Sequence, residues 1–105
     1  MLSAIKKLFG GGPSVDLAEL VRNGAVIVDV RTKGEFAGGH VRGSVNIPLD
    51  QLSGQLKKFK SKEAPIITCC ASGMRSASAK SILQRAGYTN VHNGGSWLNL
   101  RKFEK

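Results

Sequence analysis

The sequence has little that could brace the chain with disulfide bonds or place it in a membrane. Its two cysteines are neighbours, Cys69 and Cys70. A disulfide between adjacent residues is strained and joins no distant parts of a fold, so free thiols in a reducing compartment are expected. No apolar run approaches the roughly 18 residues that span a bilayer, and the N-terminus lacks the apolar stretch of a secretory signal. A cytoplasmic protein without a membrane partner is therefore predicted.

Aromatic and acidic residues are also scarce. One Trp, one Tyr and four Phe are present, and seven acidic residues stand against sixteen Lys and Arg, which gives a formal net charge of +9. No basic stretch is interleaved with stacking aromatic residues, as proteins that bind single strands require, so no nucleic-acid partner is predicted. The charge predicts a solvated basic surface, or the attraction of a small anion or an acidic partner protein.

The 105 residues fit one domain that follows a short leader. In the leader, Leu2, Ile5 and Phe9 recur at helical spacing, and residues 10–12 are all glycine. We therefore predict a leader over residues 1–12, made of a short amphipathic helix and a glycine-rich linker. The folded domain is predicted over residues 13–105.

Strand-like and helix-like segments alternate along this domain. Buried strands are predicted at residues 26–30 and 65–69, and residues 79–86 carry an apolar helical face that ends at Gly87. Strands without polar alternation, separated by amphipathic helices, are typical of a parallel sheet that is covered on both faces. The predicted fold is an α/β three-layer sandwich, with a central parallel sheet flanked by helices.

Two helix starts are predicted from capping residues. Asp16 followed by Glu19 has the spacing of a capping box. Asp50 precedes Leu52 and Leu56, which would face inward from one helix, so Asp50 is predicted to cap that helix.

The segment 69–77 is the strongest candidate for chemistry. It runs from a predicted strand into a predicted helix, and Gly73 permits the short loop between them to curl. Successive N–H groups then converge on one point, to which the helix N-terminus adds partial positive charge. Cys70 at the edge of such a nest should have a lowered pKa. Arg75 would add charge and bidentate hydrogen bonds, provided that its side chain turns toward the pocket.

Four ordered segments of the chain resemble the rhodanese family. A cysteine followed by an arginine five positions later is similar to the active-site loop of that family, and the other three segments are similar to its flanking signatures. In chain order the segments are 28–31 with 35–36 and 39–40, then 43–48, then 70–76, and finally 93–95 with Trp97.

The resemblance implies a rhodanese-like fold and a persulfide mechanism. The Cys70 thiolate would take a sulfane sulfur from thiosulfate or a persulfide donor and pass it to a thiol or to cyanide. A small anionic sulfur donor and an acceptor protein thiol are the predicted partners, and no cofactor is predicted. His40 and His92 lack metal-ligand spacing with the cysteines, so no metal is predicted. The predicted substrate-binding residues are Ala71, Ser72, Gly73, Met74, Arg75 and Ser76.

Two other functions stay open beside this one. The first is a partner-bound sulfur carrier whose acceptor is a protein thiol. The second is a cysteine-dependent phosphatase or arsenate reductase of the same fold. Those relatives carry one more residue between cysteine and arginine, because a tetrahedral oxyanion needs a wider ring of amides than one sulfur atom. Four residues separate Cys70 from Arg75, which favours sulfur.

Three residues near the predicted strand ends are assigned supporting roles. Asp29 is predicted to be a structural hydrogen-bond or ion-pair partner, although it could line the site. Arg31 is predicted to pair with Glu35 across a short helical turn, with a substrate role as the alternative. Cys69 is predicted to face the sheet packing, because successive strand residues point to opposite faces, with a resolving or sulfur-relay role as the alternative.

Overall fold

The computed structural model describes residues 16–104. In chain order its elements are α1 (Leu17–Arg22), β1 (Val26–Asp29), α2 (Lys33–Ala37), β2 (Val45–Asn46), a first 3₁₀ segment (Leu49–Lys58), β3 (Ile66–Cys70), α3 (Met74–Arg85), β4 (Val91–Ser96) and a second 3₁₀ segment (Trp97–Phe103). The predicted leader over residues 1–12 lies outside the described residues. No helix within residues 16–104 has the length and apolar composition that crossing a membrane requires.

The four strands form one sheet in the order β2-β1-β3-β4, and every pairing is parallel. All five residues of β3 are buried, which explains why this strand shows no polar alternation in the sequence. Asp29 at the end of β1 pairs with Cys69 and with Asn46. The carboxyl ends of the strands therefore meet at one edge of the sheet, where ligands of open parallel sheets bind.

Each face of the sheet is covered by its own core. On one face Val28 and Ile66 pack with Leu52 of the first 3₁₀ segment and Leu83 of α3. On the other face Ile67 packs with residues of α1 and of the second 3₁₀ segment. The predicted three-layer sandwich with a central parallel sheet is confirmed.

Asp16 is confirmed as the N-cap of α1, whereas the predicted cap at Asp50 is wrong. Asp16 caps α1 through a single bond from the N–H of Glu19, at 3.2 Å. The reciprocal capping box instead begins α2, where Glu35 Oε1 accepts from the N–H of Thr32 at 2.9 Å and Thr32 Oγ1 accepts from the N–H of Glu35 at 3.2 Å. Asp50 lies inside the first 3₁₀ segment, which follows Pro48 without a side-chain cap. The ring of Pro48 fixes φ at the residue before this segment, where a side-chain cap is absent.

Candidate active site

The loop between β3 and α3 wraps around the sulfur of Cys70. Gly73 has a φ of 109°, a left-handed conformation that reverses the chain just before α3 begins at Met74. The N–H of Gly73 donates to Cys70 Sγ at 2.9 Å, and the N–H of Ser76 donates to the same sulfur at 3.3 Å. The loop therefore presents two backbone donors to one atom, in the form of an anion nest.

The surroundings of Cys70 favour its thiolate. Burial raises the pKa of the thiol, but hydrogen bonds from the Ser76 side chain and from the N–H groups of Ser76, Gly73 and Ser72 outweigh it, so that the pKa lies below its ordinary value. The N-terminus of α3 acts in the same direction. A lowered pKa enlarges the fraction of thiolate at neutral pH, and the thiolate is the nucleophilic form.

The other residues of the loop divide into an exposed rim and a buried base. Ala71, Ser72 and Met74 are exposed, and Met74 is the most open of them at 79%. Ser76 is buried, and its carbonyl accepts a hydrogen bond from Thr68 Oγ1 of β3 at 2.9 Å. The first turn of α3 is thereby tied to the sheet beneath Cys70. The substrate-binding roles of the loop residues stay predictions.

Arg75 is held by a carboxylate from α2. Its Nη1 donates to Glu35 Oε1 at 2.7 Å and its Nη2 donates to Oε2 at 3.0 Å. These bonds, with a smaller contribution from Thr32, lower the pKa of Glu35 to about 2. The sequence left the direction of the Arg75 side chain open, and the structure directs its guanidinium to Glu35. Beside Arg75 lies a cleft of about 280 Å³, which Thr32 and Asp50 also line.

Asp29 and Arg31 form a buried ion pair with each other. Asp29 is 0% exposed, and its carboxylate accepts from Arg31 Nη2 at 2.8 Å and from Nε at 3.0 and 3.1 Å. Asp29 is thus an ion-pair partner, as predicted. The predicted pairing of Arg31 with the Glu35 carboxylate is wrong, because that carboxylate binds Arg75. Arg31 reaches only the backbone carbonyl of Glu35, at 3.3 Å.

Cys69 lies on the face of the sheet opposite to Cys70. It is fully buried in the core that contains Ile67 and Leu100, whereas Cys70 belongs to the other core. This confirms the predicted packing role. Burial raises the pKa of the Cys69 thiol to about 12. Cys69 is therefore protonated at neutral pH and unsuited to nucleophilic attack.

The two thiols should differ sharply in reactivity. In the native protein at neutral pH, iodoacetamide should give one adduct with wild type, one with Cys69→Ala and none with Cys70→Ser, because only Cys70 has a stabilised thiolate. Intact mass spectrometry measures the adducts, and the denatured wild type, which should take two, serves as the control. Modification of Cys69 in the native protein as fast as Cys70 would contradict this assignment.

β4 adds Asn93 to the site, a residue that sequence analysis did not assign to it. Asn93 pairs with Thr68, yet Cys70 pairs with Ser96, so β4 contains one extra residue between these two pairs. This bulge places Asn93 Oδ1 at 2.6 Å from the Ser76 hydroxyl, which donates to it. Gly94 and Gly95, which directly follow Asn93, indicate the bulge in the sequence, because glycine inside a strand often marks a bulge.

Comparisons with known proteins agree with this geometry. The sequence profile described as "Rhodanese-like domain" matches residues 14–97. YqhL of Bacillus subtilis is 36% identical over 69 residues, which are 66% of this chain and 54% of that protein, so the match spans about half of that relative's length. PspE of Escherichia coli, named a thiosulfate sulfurtransferase, is 35% identical over 74 residues, which are 70% of this chain and 71% of that protein.

A solved structure extends the similarity to most of the fold. The human single-domain sulfurtransferase TSTD1 superimposes with a TM-score of 0.74 at 26% identity, over 90% of this chain and 100% of that one. The matched profile includes β1 to β4, the Cys70 loop and Asn93. The chain therefore belongs to the rhodanese-like domain family.

Proposed function

We propose that this chain is a sulfurtransferase that carries a sulfane sulfur on Cys70. The observation that carries the proposal is the convergence of the Gly73 and Ser76 N–H groups on Cys70 Sγ, at 2.9 and 3.3 Å. The similarity to proteins named sulfurtransferases supports the reaction class. Thiosulfate or a persulfide is the proposed donor, and cyanide, a small thiol or a protein thiol is the proposed acceptor.

In the first proposed step the Cys70 thiolate attacks the outer sulfur of thiosulfate. A bond forms between Sγ and that sulfur, the sulfur–sulfur bond of thiosulfate breaks, and sulfite leaves with the bonding electron pair. No proton moves, and the single negative charge of the thiolate passes to the new persulfide. The N–H donors of Gly73 and Ser76 stabilise the thiolate at Sγ before the attack, and the charge of the product lies on the outer sulfur of the persulfide.

In the second proposed step an acceptor takes the outer sulfur. Cyanide or a thiolate attacks that sulfur, the bond to Sγ breaks, and its electron pair returns to Cys70 as the thiolate. The products are thiocyanate or a new persulfide, and the enzyme is ready for another donor. The two half-reactions share one covalent intermediate, which is ping-pong catalysis.

Charge supports the choice of an anionic donor. The net charge of +9 attracts a dianion toward the site. Arg75 lines the cleft beside the loop, and its side chain is 36% exposed. As a proposed substrate-binding residue, it would exchange one of its two bonds with Glu35 for an oxygen of the donor. A reducing compartment such as the cytoplasm would keep Cys70 available as a thiol.

The proposal is tested by measuring thiocyanate release from thiosulfate and cyanide over a range of pH. Double-reciprocal plots should be parallel, as ping-pong kinetics require. The rate of the donor step should rise with pH and level off above the pKa of Cys70, with a midpoint below that of an ordinary thiol, because only the thiolate attacks.

The same protein sample should be tested on an aryl phosphate. No hydrolysis is expected, since four residues separate Cys70 from Arg75, one fewer than in the cysteine-dependent phosphatases of the same fold. Hydrolysis of the aryl phosphate without thiocyanate release would overturn the proposal in favour of oxyanion chemistry.

A further inference from the structure

The bulge in β4 requires both of its glycines. A Cβ on Gly94 would lie 2.8 Å from Ile67 Cγ2 and 3.0 Å from the carbonyl oxygen of Thr68, so only glycine fits against β3. Gly95 has a φ of 76°, in the left-handed region that favours glycine. The chain is thus shaped so that Asn93 stands beside the Cys70 loop, in the manner of bulges that redirect a side chain near an active site.

The hydrogen bonds of Asn93 fix the orientation of its amide. Its Oδ1 accepts from the backbone N–H of Gly95 at 2.9 Å, and a backbone N–H can bond only to the oxygen of the amide. The same Oδ1 accepts from the hydroxyl of Ser76 at 2.6 Å. On the other side, Nδ2 lies 3.5 Å from the carbonyl oxygen of Gly73.

Three acceptors compete for the single proton of the Ser76 hydroxyl. Asn93 Oδ1 lies at 2.6 Å from Ser76 Oγ, the carbonyl oxygen of Gly73 lies at 3.0 Å, and Cys70 Sγ lies at 3.6 Å. When Cys70 is a thiol, its S–H can donate to Ser76 Oγ while the hydroxyl donates to Asn93. When Cys70 is a thiolate, the same arrangement would point an oxygen lone pair at a negative sulfur. The hydroxyl proton must then turn toward Sγ and leave Asn93.

We propose that Asn93 is a positioning residue that binds the Ser76 hydroxyl proton while Cys70 Sγ is uncharged and yields it to Sγ when the thiolate forms. The proposal deepens the proposed function and rests on it for its role in the cycle. In the persulfide the negative charge lies on the outer sulfur, so Sγ no longer attracts the proton and the hydroxyl returns to Asn93. Asn93 therefore stabilises the loaded state relative to the free thiolate and favours uptake of sulfur from the donor.

The other titratable groups around the loop keep their partners in the variants below. Cys69 is protonated and lies on the opposite face, and His92 on β4 has its ring 2.7 Å from Asn90 Oδ1. Arg75 pairs with Glu35 and Arg31 pairs with Asp29. Burial, and then the charge of Lys80 on α3, lower the pKa of His92. A change in the pKa of Cys70 when Asn93 is replaced therefore reports whether the Ser76 hydroxyl donates to Sγ.

The test is a pH titration of the Cys70 thiolate by its ultraviolet absorbance, with Cys70→Ser subtracted as the blank. Asn93→Ala should lower the pKa of Cys70 by about half a unit to one unit, because the hydroxyl is freed to donate to the thiolate. Ser76→Ala should raise it, since a donor is lost. Asn93→Ala in the Ser76→Ala background should cause no further shift, because the two residues act through one proton.

Two further variants make the test decisive. Asn93→Asp retains the acceptor for Gly95 and adds negative charge, so it should raise the pKa of Cys70. Asn23→Ala, an exposed position directly after α1, is the matched control and should cause no shift. Loss of loop geometry alone would remove N–H donors from Sγ and raise the pKa in Asn93→Ala. A raised or unchanged pKa in Asn93→Ala, or an equal shift with and without the Ser76 hydroxyl, would overturn the proposal.

The kinetic consequence is measured separately. Asn93→Ala should slow the first half-reaction with thiosulfate at a pH where Cys70 is fully ionised, although its thiolate fraction is no lower than in wild type. The titration needs no sulfur donor. Failure of sulfur transfer in every variant, with the predicted pKa shifts present, would therefore count against the proposed function alone.

Discussion

Cys70→Ser is expected to abolish sulfur transfer while the free energy of unfolding stays close to that of wild type. The serine hydroxyl is not ionised at neutral pH, so no anionic nucleophile remains at the centre of the loop. Losing the nucleophile of a covalent mechanism costs on the order of a thousandfold or more in turnover. The fold should tolerate the change, because the N–H groups of Gly73 and Ser76 can donate to a hydroxyl oxygen as they donate to Sγ. Thiocyanate release and denaturant unfolding measure the two effects.

Cys69→Ser is the matched control, since it makes the same chemical change one residue earlier. Cys69 faces the other core, with a pKa of about 12, so its replacement should leave most of the turnover. Retained turnover in Cys70→Ser, or equal losses in the two variants, would contradict the assignment of Cys70 as the nucleophile.

Asp29→Ala is expected to lower the free energy of unfolding by about 3–5 kcal/mol, because it leaves the guanidinium of Arg31 buried without its counter-charge. Arg31 is only 4% exposed, and the Asp29 carboxylate accepts from its Nε, its Nη2 and its backbone N–H. Typical domains are stable by about 5–15 kcal/mol, so this loss is a large part of the total. Denaturant unfolding measures it.

Asp50→Ala provides the comparison for an exposed aspartate. Its effect should stay within about 0.5 kcal/mol, as for most surface substitutions. An Asp29→Ala variant no less stable than Asp50→Ala would show that the buried pair contributes little to the fold. It would also reopen the possibility that Asp29 serves the chemistry directly.

The sheet and the loop could be predicted because each depends on local sequence. The apolar run of β3 has no polar alternation, and the helical face of α3 ends at Gly87, whose φ is 99°. Between them, a short segment with Gly73 has few ways to connect a strand to a helix. The predicted position of Cys70 at the carboxyl edge follows from this order of elements.

The partners of the charged side chains could not be predicted in the same way. Arg75 and Glu35 are 40 positions apart and meet because α2 packs beside the loop. Arg31 selects Asp29 over Glu35 because both lie at the end of β1, where the carboxylate is already buried. Such choices depend on how separate elements approach one another, which spacing along the chain does not specify.

The role of Asn93 depends on a similar long-range effect. The two glycines after it indicate an irregular strand, but they do not say which way the preceding side chain turns. Only the register of β4 against β3 brings Asn93 to the hydroxyl of Ser76, which is 17 positions away. The sequence therefore locates Cys70 and its loop, whereas the side chains that surround Cys70 require the tertiary structure.

The most direct test of a Cys70 persulfide is the intact mass of the protein after incubation with thiosulfate, measured beside Cys70→Ser. Wild type should gain the mass of one sulfur atom, and cyanide should remove it with release of an equal amount of thiocyanate. Cys70→Ser should gain nothing. An unchanged mass in wild type, or the same gain in Cys70→Ser, would contradict the proposal that Cys70 carries the sulfur.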